Sequence, residues 1–275
     1  MLPTMAQPSA SPADAAPFKV ADGLLPRALM EEALATLRDL LRAVGGSGPE
    51  DVDALVDSLA DGRRDRLGVV YDAMRETEVF RRLIAAEPLR QEAQRMVGAQ
   101  RLHSPFQHAV FRMDLAGEPW RGFDWHQDFP YNVLSARSVT AWIPLTASGA
   151  ANGGVDIVPS ATRKIFPVEI RFKRDAAGRR LSTRDAFIAP PFHPAFEAAC
   201  FRPELAPGDV LMFHNSVVHR SGRNPGPRHR YSIQVRFGDL LAPDMVARDW
   251  RHRPVDGFET FARLHPELIA FEEDA

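Results

Sequence analysis

The chain has 275 residues, enough for one domain with a sizeable core. Hydrophobic residues make up 45% and charged residues 25%, the profile of an ordinary globular protein. Basic and acidic residues nearly cancel, 34 against 36, so charge gives no reason to expect nucleic acid or an anionic membrane surface as a partner. The single cysteine, Cys200, excludes an intramolecular disulfide and a Cys-based zinc cluster, and points to a reducing compartment.

Residues 1–17 are rich in Ala, Pro and Ser and read as a disordered lead-in. They lack a basic start and a continuous apolar core, and no apolar run is long enough to span a bilayer, so a cytoplasmic protein is expected. Residues 18–275 are expected to form one domain, with a helical flank over 18–100. There "PRALMEEALATLRDLLRAV" sets Leu37, Leu40 and Leu41 at helical spacing, with Pro26 near the start and Gly45-Gly46 after the end. "GPEDVDALVDSLADG" reads as a second helix closing at Gly62. "AMRETEVFRRLIAAEPLRQEAQRMVGA" reads as two more, broken near Pro88.

From residue 101 to 240 the texture becomes β-rich. "FQHAVFRMDL", "RSVTAWIPL", "GGVDIVP" and "GDVLMFHNSVVH" are strand-like runs between turn residues. "HRYSIQVRFGDL" alternates, with Tyr231, Ile233, Val235 and Phe237 on one face and Arg230, Ser232, Gln234 and Arg236 on the other. Residues 160–206 read as a long loop with many basic residues (Arg163, Lys164, Arg171, Lys173, Arg174, Arg179, Arg180, Arg184), either a solvated excursion or a lid. Residues 241–275 read as a C-terminal extension. Helices followed by many short strands predict an α+β fold whose β part is a sandwich, barrel or jelly roll.

The stretch "FDWHQDFPYN" carries His126 and Asp128 two residues apart. In extended chain such residues point the same way, so both side chains can meet one ion. "HNSVVHRSG" offers His214 or His219 as a third ligand. Two imidazoles and one carboxylate leave positions on a metal open for substrate and O2, the pattern of non-haem Fe(II) oxygenases. The plain alternative is a set of polar residues at strand ends. If the polar face of the last strand lines a cavity, Arg230 could hold a carboxylate; otherwise Arg230 and Arg236 face water.

Together these motifs resemble the phytanoyl-CoA dioxygenase family of Fe(II)- and 2-oxoglutarate-dependent oxygenases. The matching pieces, in order, are "WHQD", "TAWIPL", "NGGVDIVPSATRK", "PGDVLMFHNSVVHRSG" and "RHRYSIQVRF", and the likeness covers roughly residues 100 to 238. It implies a double-stranded β-helix, or jelly-roll barrel, with flanking N-terminal helices. It implies that His126, Asp128 and His219 hold Fe(II) and are the catalytic centre, and it selects His219 over His214. It implies that Arg230 binds the distal carboxylate of the co-substrate 2-oxoglutarate, with Ser221 as a helper and Trp142 as a wall of that pocket. Gln127 is expected to orient the site. The implied reaction consumes O2 and 2-oxoglutarate, releases succinate and CO2, and hydroxylates a small-molecule substrate. Retention of Asp128 favours hydroxylation or desaturation, because halogenating relatives lack the carboxylate ligand. Arg220 departs from the family pattern, which often has Gly there. A jelly-roll small-ligand binding protein without catalysis is the second reading, and the complete ligand set argues against it.

Overall fold

The computed structural model describes residues 16–118, 122–159, 164–174, 177–249 and 257–271. The expected lead-in lies almost wholly outside these residues, and so do Arg163 and its neighbours at 160–162. The described chain opens with a strand, β1 (Phe18–Ala21), and continues through five helices. These are α1 (Arg27–Ala43), α2 (Val52–Ala60), α3 (Arg64–Glu76), α4 (Glu78–Ile84) and α5 (Glu87–Val97). The strand-rich part follows: β2 (Leu102–His103), a 3-10 turn (Phe106–His108), β3 (Val110–Asp114), β4 (Val139–Pro144) and β5 (Gly154–Ile157). Next come β6 (Val168–Arg174), β7 (Arg180–Ile188), α6 (His193–Ala199), β8 (Val210–His214), β9 (His219–Gly222) and β10 (Arg230–Asp239). Two helices, α7 (Pro243–Ala247) and α8 (Gly257–Leu264), and a last strand, β11 (Ile269–Phe271), complete it.

The helices form where spacing and caps agree. Met30, Ala33, Leu37 and Leu41 make one buried stripe on α1. The Asp51 carboxylate accepts from Asp53 N and starts α2. The stretch 73–99, expected to hold two helices, holds the end of α3 followed by α4 and α5. The additional break is at Thr77, whose hydroxyl accepts from Phe80 N and donates to Met74 O, so a residue that is neither Gly nor Pro ends one helix and caps the next. Pro88 sits in the first turn of α5, where its missing N–H costs nothing.

The largest sheet has six strands in the order β1-β8-β4-β10-β2, with β3 also on β10, and all its pairings are antiparallel. β5 and β9 form a two-stranded antiparallel sheet, and β6 and β7 form a hairpin extended by β11. This is the expected mixture of helix and sheet, although β1 places a strand inside the expected helical flank. The alternation read in the last strand has a direct structural meaning. Tyr231, Ile233, Val235 and Phe237 join Val139, Ala141, Ile143, Val210 and Met212 in a core shared with Leu37, Leu55, Val70 and Leu83 of the helices. The opposite face of β10 turns inward onto a cavity instead of water: Arg230 is 3% exposed and Arg236 7%.

Two expectations need correction. The expected strand at "FQHAV" begins as a 3-10 turn, because His108 N bonds back to Pro105 O, and the strand starts only at Val110. The stretch 160–206 is not a structureless loop. It holds β6, β7 and α6, and its residues Ile188, Phe196, Val168 and Ala186 are buried against Trp125, Val158, Val218, Val133 and Phe261. Burying these side chains supplies the energy that a solvated loop lacks. Among the described residues, no helix is long and apolar enough to cross a membrane.

Candidate metal centre

A cavity of about 450 Å³ lies between the inner face of the six-stranded sheet and the β5–β9 pair. Its walls include Arg112 and Asp114 of β3, Trp142 of β4, Phe213 of β8, and Arg230, Gln234 and Arg236 of β10. The segment 123–128 closes one side. Within it His126 pairs with His219 as antiparallel neighbours: His126 N donates to His219 O (2.9 Å) and His219 N to His126 O (3.0 Å). Directly opposed residues of an antiparallel pair project to the same side. The backbone therefore sets the two imidazoles together, with ring centroids 4.1 Å apart. Asp128, two residues on, turns to the same side.

One ligand atom from each of His126, Asp128 and His219 lies within 4.8 Å of the others, and all three residues are buried. The hydrogen bonds fix which nitrogen each ring offers. His126 Nδ1–H donates to Asp124 O (2.7 Å) and His219 Nδ1–H to Val217 O (3.0 Å), so both Nε2 lone pairs face the centre. Burial, with His219 alongside, lowers the His126 pKa to about 3, and burial lowers that of His219. For Asp128 burial alone would raise the pKa, but Arg236, the two imidazoles and the Thr140 hydroxyl outweigh it, and the carboxyl stays well below its ordinary range. Two neutral imidazoles and one ionised carboxylate are the protonation states a divalent ion requires. The donor set therefore fits a non-haem iron.

His214, the other candidate from spacing, ends β8 with its Nδ1 toward Ser138 O and is not among the cavity-lining residues. Trp142 and Ser221 line the cavity. Ser221 Oγ is engaged as acceptor for Phe123 N (3.0 Å), which ties β9 to the His126 segment. Gln127 sits behind the ligands. Its side chain points away from the cavity, since it lies one residue out of phase with His126 and Asp128. Its amide donates to Lys164 O and Ser216 O and accepts from Phe166 N, so it fastens two neighbouring segments to the back of the site.

Arg230 lies in the cavity wall, but its fork already meets a carboxylate. Nε and Nη2 donate to Asp114 Oδ2 (3.3 and 2.9 Å), and Nη1 donates to Gly154 O and Gly222 O. Arg112 donates to the other oxygen of Asp114 (2.6 Å) and lies over the Phe123 ring. Two guanidinium groups against one carboxylate leave one positive charge in excess. Arg220, where the family often has Gly, borders the cavity, and its guanidinium is engaged by partners beside it. It stacks on Trp125 and joins Asp156 to Glu197, so the substitution braces β9 against α6.

Three contributors were not singled out in the sequence. Arg236 pairs with Asp128, Asp114 holds Arg230 and Arg112, and Gly153 (φ +83) lets the chain pass against Arg230. Only the alternation of β10 gave a signal for Arg236, and it became readable once that face was known to line a cavity.

The phytanoyl-CoA dioxygenase family model matches residues 21–232, over three quarters of the chain. The chain belongs to the phytanoyl-CoA dioxygenase family. Its members are 2-oxoglutarate-dependent non-haem iron oxygenases, so the protein is an enzyme of that class, with iron and 2-oxoglutarate as its cofactor and co-substrate. Solved structures share the family fold. The non-heme monooxygenase ThoJ in its apo form is 19% identical with a TM-score of 0.56, covering 82% of this chain and 75% of its own. EctD from S. alaskensis, apo form, is 15% identical with a TM-score of 0.55, covering 85% of this chain and 78% of its own. The epimerase SnoN, solved with Fe3+, alpha ketoglutarate and nogalamycin RO, is 19% identical with a TM-score of 0.54, covering 82% of this chain and 80% of its own. No curated protein sequence matches the chain significantly.

Proposed function

We propose that this family member hydroxylates a small-molecule substrate, coupled to conversion of 2-oxoglutarate and O2 into succinate and CO2. The observation that carries the reading is the convergence of His126 Nε2, His219 Nε2 and one Asp128 oxygen on one point of the cavity wall, in the protonation states a metal needs. Bound iron supplies the activation of O2 at this centre. The six-stranded sheet and the β5–β9 pair are the walls of a double-stranded β-helix in this reading.

The chain's own residues do the rest. Arg230, seconded by Arg112, holds the distal carboxylate of 2-oxoglutarate; the single excess positive charge of the Arg112–Asp114–Arg230 group matches one carboxylate, and a buried excess charge without a partner is costly. Trp142 and Phe213 wall that pocket, and Ser221 keeps β9 and the His126 segment together. The remaining lining, including Gln107, Val110, Tyr131 and Gln234, offers the substrate a mixed polar and aromatic surface. The cavity volume falls in the range of small-molecule sites, about 300–1,000 Å³. EctD has been solved with 2-oxoglutarate and 5-hydroxyectoine, and SnoN with nogalamycin RO, which supports a small molecule as substrate class. Retention of Asp128 supports hydroxylation over halogenation.

The test is oxygen-dependent succinate formation from 2-oxoglutarate, screened for stimulation by candidate small molecules. Asp128→Ala is expected to abolish turnover, whereas Arg230→Ala is expected to raise the 2-oxoglutarate KM by at least about tenfold, the loss of a charge-assisted pair. Full activity in both variants contradicts the assignment.

A further inference from the structure

Arg236 is a second buried guanidinium on the inner face of β10, six residues beyond Arg230. Its Nε and Nη2 each lie 3.3 Å from Asp128 Oδ2, and Nη2 is 3.4 Å from Oδ1. Nη1 donates to His108 O (3.1 Å) and Nη2 to Gln234 Oε1 (2.9 Å), so the guanidinium is held on both flanks. The Thr140 hydroxyl donates to the same Asp128 Oδ2. Asp128 Oδ1 is the oxygen 3.9 Å from His126 Nε2. The two carboxylate oxygens thus have different neighbours: Oδ2 takes two Arg236 nitrogens and the Thr140 hydroxyl, whereas Oδ1 takes one longer Arg236 contact and is the oxygen beside His126 Nε2.

We propose that Arg236 is a built-in countercharge for the metal centre: it balances Asp128 when no metal is bound, and it restricts Asp128 to binding a metal through Oδ1 alone. This rests on the reading of His126, Asp128 and His219 as metal ligands. Two effects of Arg236 on metal affinity oppose each other. As an orienting partner it helps, and loss of such partners generally costs about 10–100-fold in affinity. As a fixed positive charge a few ångströms from a divalent ion it hinders, and inside a protein the repulsion between charges at that range exceeds the value of one orienting hydrogen bond. Thr140 and the extended backbone continue to orient Asp128 without Arg236, so the charge effect dominates. An ordinary structural residue, when lost, lowers both fold stability and metal affinity. A countercharge gives opposite signs: the metal-free protein loses stability because Asp128 is left buried and unpaired, while the metal binds more tightly.

The experiment compares wild type, Arg236→Gln and Arg236→Lys in the full-length protein, by calorimetric Mn(II) titration and by thermal unfolding without metal. For Arg236→Gln, a lower Tm without metal together with Mn(II) affinity raised by roughly tenfold or more supports the proposal. Arg236→Lys keeps the charge and is expected to stay within a few-fold of wild-type affinity. If Arg236→Gln does not fold, the proposal stands on Arg236→Lys and on Thr140→Val. Thr140→Val removes an orienting donor without removing charge, and it should lower the affinity. Unchanged or weaker Mn(II) binding in Arg236→Gln, or stronger binding in Arg236→Lys or Thr140→Val, overturns it. Absence of any Mn(II) binding by wild type overturns this proposal and the metal-site reading together, whereas binding that is lost in His219→Ala preserves that reading whatever Arg236 does.

Discussion

His126 and His219 exchange two backbone hydrogen bonds, and that exchange fixes the geometry of the centre before any metal arrives. The cost shows in acid. A His126 that stays neutral down to about 3 refuses a proton that the unfolded chain accepts near 6.5. Between those values the unfolded state binds more protons, so stability rises with pH across the window and is lost as pH falls through it. Asp128, held low, extends the loss below the ordinary Asp range. The denaturation midpoint of metal-free protein should therefore fall between about pH 6.5 and pH 4, and His126→Asn should flatten that slope. Gly153 carries a second residue-scale expectation. Its φ is +83, and a Cβ there would lie 2.6 Å from Arg230 Nη1 and 2.7 Å from Gly222 O. Gly153→Ala should raise the 2-oxoglutarate KM more than it lowers kcat, as a displaced Arg230 requires; an equal fall in kcat with KM unchanged contradicts this. The His-x-Asp pair was legible in the sequence because strand periodicity puts both side chains on one side. The choice between His214 and His219 was not readable from spacing, since it depends on long-range pairing of β9 with residue 126.

At the scale of elements, the hairpin β6–β7 is fastened to the site by one side chain. The Tyr131 hydroxyl donates to Ala186 O (2.7 Å) and accepts from Ala186 N (2.6 Å). Ile188 N adds a bond to Trp125 O. Tyr131→Phe keeps the ring and leaves two buried backbone groups unpaired, at a cost of about 1–3 kcal/mol. Amide exchange should quicken over 168–188 ahead of the rest of the chain; uniform exchange there would contradict this docking. Strands with clear alternation or turn signals, such as β10 and β8, were legible. The hairpin was hidden because its arginine-rich composition reads as solvated surface, whereas its stability comes from Phe187, Ile188 and Ala186 packing against distant residues. The break at Thr77 was hidden for a different reason: capping by a hydroxyl leaves no Gly or Pro in the sequence to mark it.

For the molecule as a whole, β10 organises the division of labour. Its apolar face closes the core against the helices, and its polar face supplies Arg230 and Arg236 to the cavity. Amphipathic alternation in the sequence left open whether that side meets a cavity or water, because a buried polar face and an exposed one have the same pattern. The helices matter to the site through this strand: the Tyr231 hydroxyl donates to the buried Asp53 of α2 (2.7 Å), one residue from Arg230. In the proposed function this architecture brings His126, Asp128 and His219 together to hold iron beside 2-oxoglutarate. Anaerobic addition of Fe(II) and 2-oxoglutarate, followed by visible absorption, tests it most directly. Wild type should develop a weak, broad charge-transfer band that is lost in Asp128→Ala and His219→Ala; no band in wild type, or an undiminished band in both variants, would contradict the claim.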